Sequence, residues 1–160
     1  MSVADGGDAS GQAPARPGIR VLSQFIRDLS FENPASGPVS GQPNIDLAID
    51  VSATPHASAA GVFEVALKMS GSAKSDDTTL FLFELDYAGL FELQGVSEPD
   101  VEPILLIECP RLLFPFARRI IAEVTRDGGF PPLLVDPVDF NALYQSQKQQ
   151  EGSGAPAPSA

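Results

Sequence analysis

The sequence predicts an α+β fold, a four-stranded antiparallel sheet with helices on one face. Three observations predict it. Four segments between Gly18 and Leu90 alternate apolar and polar residues with a period of two. Their connections are rich in turn residues, which suits antiparallel neighbours with one wet face. After Phe91 the spacing changes to steps of three and four, the pattern of amphipathic helices.

The first strand begins at Gly18. Ile19, Val21, Phe25, Leu29 and Phe31 form its predicted inner set, and Arg20, Gln24, Asp28, Ser30 and Glu32 its outer set. Pro34 ends it. Residues 33–43 carry three prolines and two glycines and read as a long loop, with Val39 inside it. In Asn44–Val51, Ile45, Leu47, Ile49 and Val51 point inward and Asp46, Ala48 and Asp50 outward. A turn-rich connection, Ser52–Gly61, contains His56. Val62–Ala73 repeats the alternation, with Phe63, Val65, Leu67 and Met69 inward and Glu64, Ala66 and Lys68 outward. Ser75-Asp76-Asp77 turns the chain. Thr79–Leu90 sets Phe81, Phe83, Leu85 and Tyr87 inside and Leu80, Leu82, Glu84 and Asp86 outside.

Pro99–Ile107 reads as a short helix, interrupted at Pro110. Pro110–Arg126 carries a wide stripe of Leu112, Leu113, Phe116, Ala117, Ile120, Ile121 and Val124, with a bend expected at Pro115. Gly128 and Gly129 supply a helix stop. Phe130-Pro131-Pro132 forces extended chain. Asp136-Pro137 is a helix-opening pair, and Phe140, Leu143 and Tyr144 share one face of the helix that follows.

The remaining bounds come from composition. The chain has 160 residues, enough for one domain, here residues 18–146. Residues 1–17 are small and polar and predict a disordered tail. The last helix is expected to fray in its glutamines, leaving 147–160 as a flexible tail. The net charge of −11 argues against nucleic acid and anionic membranes and for basic partners. No apolar run approaches a membrane span, and no signal-peptide pattern opens the chain, so a cytoplasmic protein is expected. One Cys and one His provide neither an internal disulfide nor a metal site. Catalysis finds little support. His56 sits alone in a loop, and Cys109 could either cap a helix with a lowered pKa or be a buried small residue. No glycine loop follows a strand to cradle a phosphate, so no cofactor is expected.

Two surfaces are candidates for function. The predicted outer face of the sheet gathers seven acids (Asp28, Glu32, Asp46, Asp50, Glu64, Glu84 and Asp86) against Arg20 and Lys68. Neighbouring strands lie ~5 Å apart, inside a Debye length of ~8 Å, so the fields add and favour a basic partner. The plain alternative is a solvated face that keeps the protein soluble. The second surface is apolar: Phe140, Leu143 and Tyr144 with Leu133 and Leu134 before them. It is either ordinary core packing or a groove for an apolar ligand. One long helix and four strands also leave aromatic surface uncovered, which predicts self-association. Phe83, Leu85 and Tyr87 read as core or subunit interface, with Leu113, Phe116 and Ile120 on the facing helix.

Three strings, in order, resemble the SecB family of protein-export chaperones: Asp28-Leu-Ser-Phe-Glu-Asn-Pro34, Cys109-Pro-Arg-Leu-Leu-Phe-Pro-Phe-Ala-Arg118, and Gly128 to Tyr144. The resemblance covers roughly residues 18–146. It implies an ATP-independent chaperone, a tetramer built as a dimer of dimers, that keeps unfolded precursors competent for translocation. It implies that Asp28, Ser30, Glu32, Leu82 and Glu84 dock the basic, zinc-bearing tail of the motor SecA, the zinc belonging to the partner. It implies a client groove lined by Phe31, Val39, Leu133, Leu134, Phe140, Leu143 and Tyr144. Two departures stand out. The family's tryptophan in the loop after the first strand is missing, and Phe83 occupies a position often held by cysteine. Two other functions fit parts of the pattern: a same-fold chaperone with a dedicated client such as an antitoxin, and a carboxylate-dependent hydrolase. Acids on an open sheet face lack the cleft that raises one carboxyl of a hydrolytic pair.

Overall fold

The sheet consists of β1 (Gly18–Glu32), β2 (Asn44–Pro55), β3 (Val62–Ser75) and β4 (Thr78–Gln94), all pairs antiparallel, in the spatial order β1-β4-β3-β2. This computed structural model describes residues 18–35, 42–57 and 59–153. The predicted N-terminal tail, Val39 and residues 154–160 lie outside the described residues.

The central strands follow the period-two pattern closely. Val65, Leu67 and Met69 of β3 and Phe81, Phe83, Leu85 and Tyr87 of β4 are all buried on the inner face. Leu80 departs from the reading. A register shift lies between Ala73 and Lys74 opposite it, and Leu80 joins the core instead of the outer face. Gly71 has no room for a side chain, because a Cβ there would stand 2.5 Å from the Phe83 ring. Phe83 fills the gap that the glycine leaves, and burying a phenylalanine in this way is worth about 1.5–3 kcal/mol.

The edge strand β1 is less regular. Its register with β4 slips between Val21 and Ser23 and again between Ile26 and Asp28. Each bulge inserts one residue, which reverses the faces of the segment between them. Gln24 therefore turns inward, where the Tyr87 hydroxyl donates to its Oε1 at 3.0 Å. Phe25 stands opposite Ala88 on the outer side. Both reverse the sequence reading, while Asp28, Ser30 and Glu32 beyond the second bulge keep the predicted side.

The helical layer also differs in detail. α1 (Glu98–Pro103) runs through a π-helical turn, Ile104–Glu108, into α2 (Cys109–Asp127) without a break. The expected interruption at Pro110 is absent. Proline lacks an N–H and crowds the carbonyl four residues back, and the wider turn, in which Cys109 N–H bonds Ile104 O, adjoins it. The buried stripe of α2 is Cys109, Pro110, Leu113, Phe114, Ala117, Ile121 and Thr125. Leu112 and Phe116 of the predicted stripe stay exposed.

Gly129 takes the left-handed conformation (φ 93°) after α2. The chain stays extended to Asp139, because Val135 is buried and Val138 packs on the core. α3 (Phe140–Ser153) therefore starts later than the Asp136-Pro137 pair suggests. Asp139 is the cap: its Oδ1 accepts from Ala142 N–H at 3.0 Å. α3 also continues through the glutamines where fraying was expected. Glutamine is a good helix former, and the Lys148 ammonium bonds Glu102 of α1 at 2.7 Å while lying over the Tyr144 ring.

Candidate functional site

The outer sheet face is assembled by register. Three consecutive rows cross all four strands: Asp28, Asp86, Lys68 and Asp50; then Ser30, Glu84, Ser70 and Ala48; then Glu32, Leu82, Ser72 and Asp46. The five residues predicted to dock a basic partner thus lie together on β1 and β4, all exposed, with Leu82 at 39%. Apart from Glu84 the middle row is small, so the acids stand around a shallow floor. An open depression of about 540 Å³ lies there, lined among others by Ser30, Glu32, Asp46, Ser70, Leu82 and Glu84.

Sequence reasoning missed one cation on this face. The second bulge turns Arg27 outward, where its guanidinium stands 3.8 Å from both Glu64 and Asp86. Among the described residues, no ion pair engages Asp28, Glu32, Asp46, Asp50 or Glu84. Around Glu32 and Glu84 the field is therefore negative, with no ion pair to offset it. Asp86 keeps one buried oxygen without a hydrogen-bond partner, next to the arginine that holds the other.

The apolar candidates are dispersed by role. Phe31 packs at the end of β1 against Phe81 (5.8 Å between ring centroids) and Phe130 (6.4 Å). A Cβ on Gly128 would overlap the Phe31 ring, and Asn33 Nδ2 donates to Gly128 O at 3.1 Å. The end of β1 is thus fastened to the turn after α2. Phe140 is fully buried against Phe114, with centroids 5.9 Å apart, and anchors α3. Leu133, Leu143 and Tyr144 are half-buried, and Leu134 is 64% exposed.

The residues read as a possible interface also divide. Phe83, Leu85, Tyr87 and Leu113 are buried within the protomer. Ile120 is half-buried. Phe116 is 47% exposed, with one ring face stacked on Tyr87. Val21, Leu22, Ile26 and Leu29 of β1 and Leu112 of α2 add exposed apolar surface. Two of these, Leu22 and Ile26, belonged to neither face in the sequence pattern. The bulges beside them are the reason, and no local sequence signal marks those bulges.

Cys109 is buried, and burial, with the nearby Glu108 charge, pushes its thiol up to about 12. The helix-cap reading with a lowered pKa is corrected, since Cys109 lies inside a continuous helical run. Among the described residues, no group of three His, Cys, Asp or Glu side chains is placed to hold a metal ion.

The fold agrees with the sequence relationships. The family model for preprotein translocase subunit SecB matches residues 12–151. The chain belongs to the SecB family. A protein-export protein SecB from Hyphomonas neptunium is 64% identical over 158 residues, covering 94% of this chain and 95% of that protein. One from Parvibaculum lavamentivorans is 50% identical over 157 residues, covering 96% and 90%. A solved SecB-like chaperone from Mycobacterium tuberculosis, in complex with an antitoxin peptide, superposes with a TM-score of 0.61 at 15% identity, over 75% of this chain and 90% of that one. At that identity it shares the fold alone. The SecB-family chain described here is a protein-export chaperone with the α+β fold that its sequence predicts. No helix among the described residues is long and apolar enough to cross a membrane.

Proposed function

We propose that this chaperone divides its work between two surfaces. Unfolded precursors bind on the apolar side, along the end of β1, the linker with Leu133 and Leu134, and the outward part of α3 at Leu143 and Tyr144. The basic tail of SecA docks on Asp28, Ser30, Glu32, Leu82 and Glu84. The observation that carries the second half is the exposed, unpaired acidic cluster on a face that the helices leave bare. An unfolded chain offers apolar side chains, and an apolar surface takes them without reading a sequence. Phe140 contributes by anchoring α3, since its ring is consumed in the core. The protein works without ATP or a cofactor of its own, in the cytoplasm.

We also propose assembly into a homotetramer. The support is the apolar surface on one edge of the protomer and on α2: Val21, Leu22, Ile26, Leu29, Leu112 and Phe116, each 38–47% exposed. A monomer gains nothing by keeping these in water. Several client surfaces on one oligomer, engaged by one long chain, turn weak contacts into avidity.

The test compares a reduced, unfolded precursor with its folded form, with the mass of the chaperone measured alongside. The expected result is binding of the unfolded form alone, by a tetramer. Equal binding of both forms would refute the client half. SecA stimulation that survives Glu32→Lys with Glu84→Lys would refute the docking half.

A further inference from the structure

Thr125, in the last turn of α2, is fully buried. A mid-helix threonine is usually satisfied by back-bonding to its own helix, and Thr125 does donate to Ile121 O at 2.9 Å, with Ala122 O at 3.1 Å. Its hydroxyl has a second task. It accepts the N–H of Leu133 at 2.9 Å, eight residues further on. Its backbone carbonyl accepts the N–H of Phe130 at 3.1 Å.

The sequence makes this arrangement informative. Pro131 and Pro132 have no N–H, so Phe130 and Leu133 own the only amide donors from residue 130 to residue 133. Both end on Thr125. The linker here is extended and belongs to no sheet, so neither amide has a ladder partner. Beyond Leu133 the side chains alternate as an extended chain must: Leu134 is 64% exposed and Val135 is 5% exposed. A slip of one residue would exchange them, burying the leucine and exposing the valine. The bond at Leu133 is the last polar contact before that alternation begins, so it sets the register.

We propose that Thr125 is a positioning residue for client binding: its hydroxyl fixes the linker so that Leu134 faces the client and Val135 the core. This rests on the reading of the linker as client surface. Thr125 itself touches no client. Serine keeps the hydroxyl, whereas valine keeps the shape and loses the acceptor, leaving the Leu133 amide unpaired.

The test uses the full-length protein, a reduced unfolded precursor and purified SecA. Thr125→Val is expected to weaken precursor binding roughly three- to tenfold, to leave SecA affinity unchanged, and to speed hydrogen exchange at the Leu133 amide. Thr125→Ser should restore all three values. Wild-type precursor affinity in Thr125→Val, or equal losses for precursor and SecA, would overturn the assignment. Should the valine variant fail to fold, Leu134→Asp on the exposed side keeps the idea open to refutation. It should lower precursor affinity without changing the unfolding midpoint, and an unchanged affinity would overturn the proposal. If the wild type itself fails to prefer unfolded precursor, the client reading falls and this inference with it. If Leu134→Asp weakens precursor binding while Thr125→Val binds like the wild type, the linker reading stands and this inference alone falls.

Discussion

Phe83 and Glu84 are neighbours in β4, yet they belong to different machines. Phe83 is 2% exposed, with its ring laid across Gly71 in the core. Glu84 is exposed, flanked by Ser30 and Ser70 and engaged by no ion pair among the described residues. One peptide step separates a residue whose energy is packing from one whose energy is long-range charge. The pleat makes this division possible, because successive side chains leave opposite faces. It also keeps the two energies apart: packing is lost steeply with shape and hardly depends on salt, whereas the field of an exposed carboxylate depends on salt and hardly on shape.

Substitutions on the two faces should therefore separate cleanly. The largest effect is on the inner face: Phe83→Ala should lower unfolding free energy by about 3–5 kcal/mol, read by denaturant melting. If it costs under ~1 kcal/mol, Phe83 is not packed as described. A second inner-face effect is a pH dependence. The unfolded thiol of Cys109 ionises near 9.0, while the folded one holds its proton to about 12. Its contribution to stability is thus complete below pH 9 and lost as pH rises toward 12. Cys109→Ala should flatten the stability curve in that window relative to wild type, and a parallel curve would contradict the burial. On the outer face, Glu84→Lys should change stability by no more than about 0.5 kcal/mol while weakening SecA docking about tenfold. A matching loss of precursor binding would mean the faces are not independent. At the boundary, Asp139→Ala should cost about 1 kcal/mol through the lost cap of α3. The smallest effect belongs to Lys148, whose ammonium is held protonated above the usual lysine range chiefly by its hydrogen bond to Glu102. Lys148→Met should leave the unfolding midpoint in place and only increase amide exchange in the last turns of α3.

The same two faces explain what the sequence made legible. β4 has a strand on each side, so its alternation is enforced and reads directly from Phe81 to Asp86. β1 has a free edge and tolerates two bulges. Nothing in the composition of Leu22 or Arg27 marks them, so the reversal of Gln24 and Phe25 and the outward turn of Arg27 were hidden. The five docking candidates, three of them acids, keep their predicted face because they lie beyond the second bulge or on β4. In the helical layer, the Asp136-Pro137 pair and Asp139 compete for the start of α3. Local chemistry favours the first, and the packing of Val135 and Val138 selects the second. Thr125 was invisible for a related reason. A threonine four residues after Ile121 looks like a polar interruption of the stripe, and its partner at Leu133 appears only when the chain folds back.

The most direct test of the two-face account is a salt titration on one preparation of the protein, with precursor binding and SecA docking measured side by side from low to high ionic strength. SecA affinity should fall steeply while precursor affinity holds. Parallel losses for both partners would contradict it.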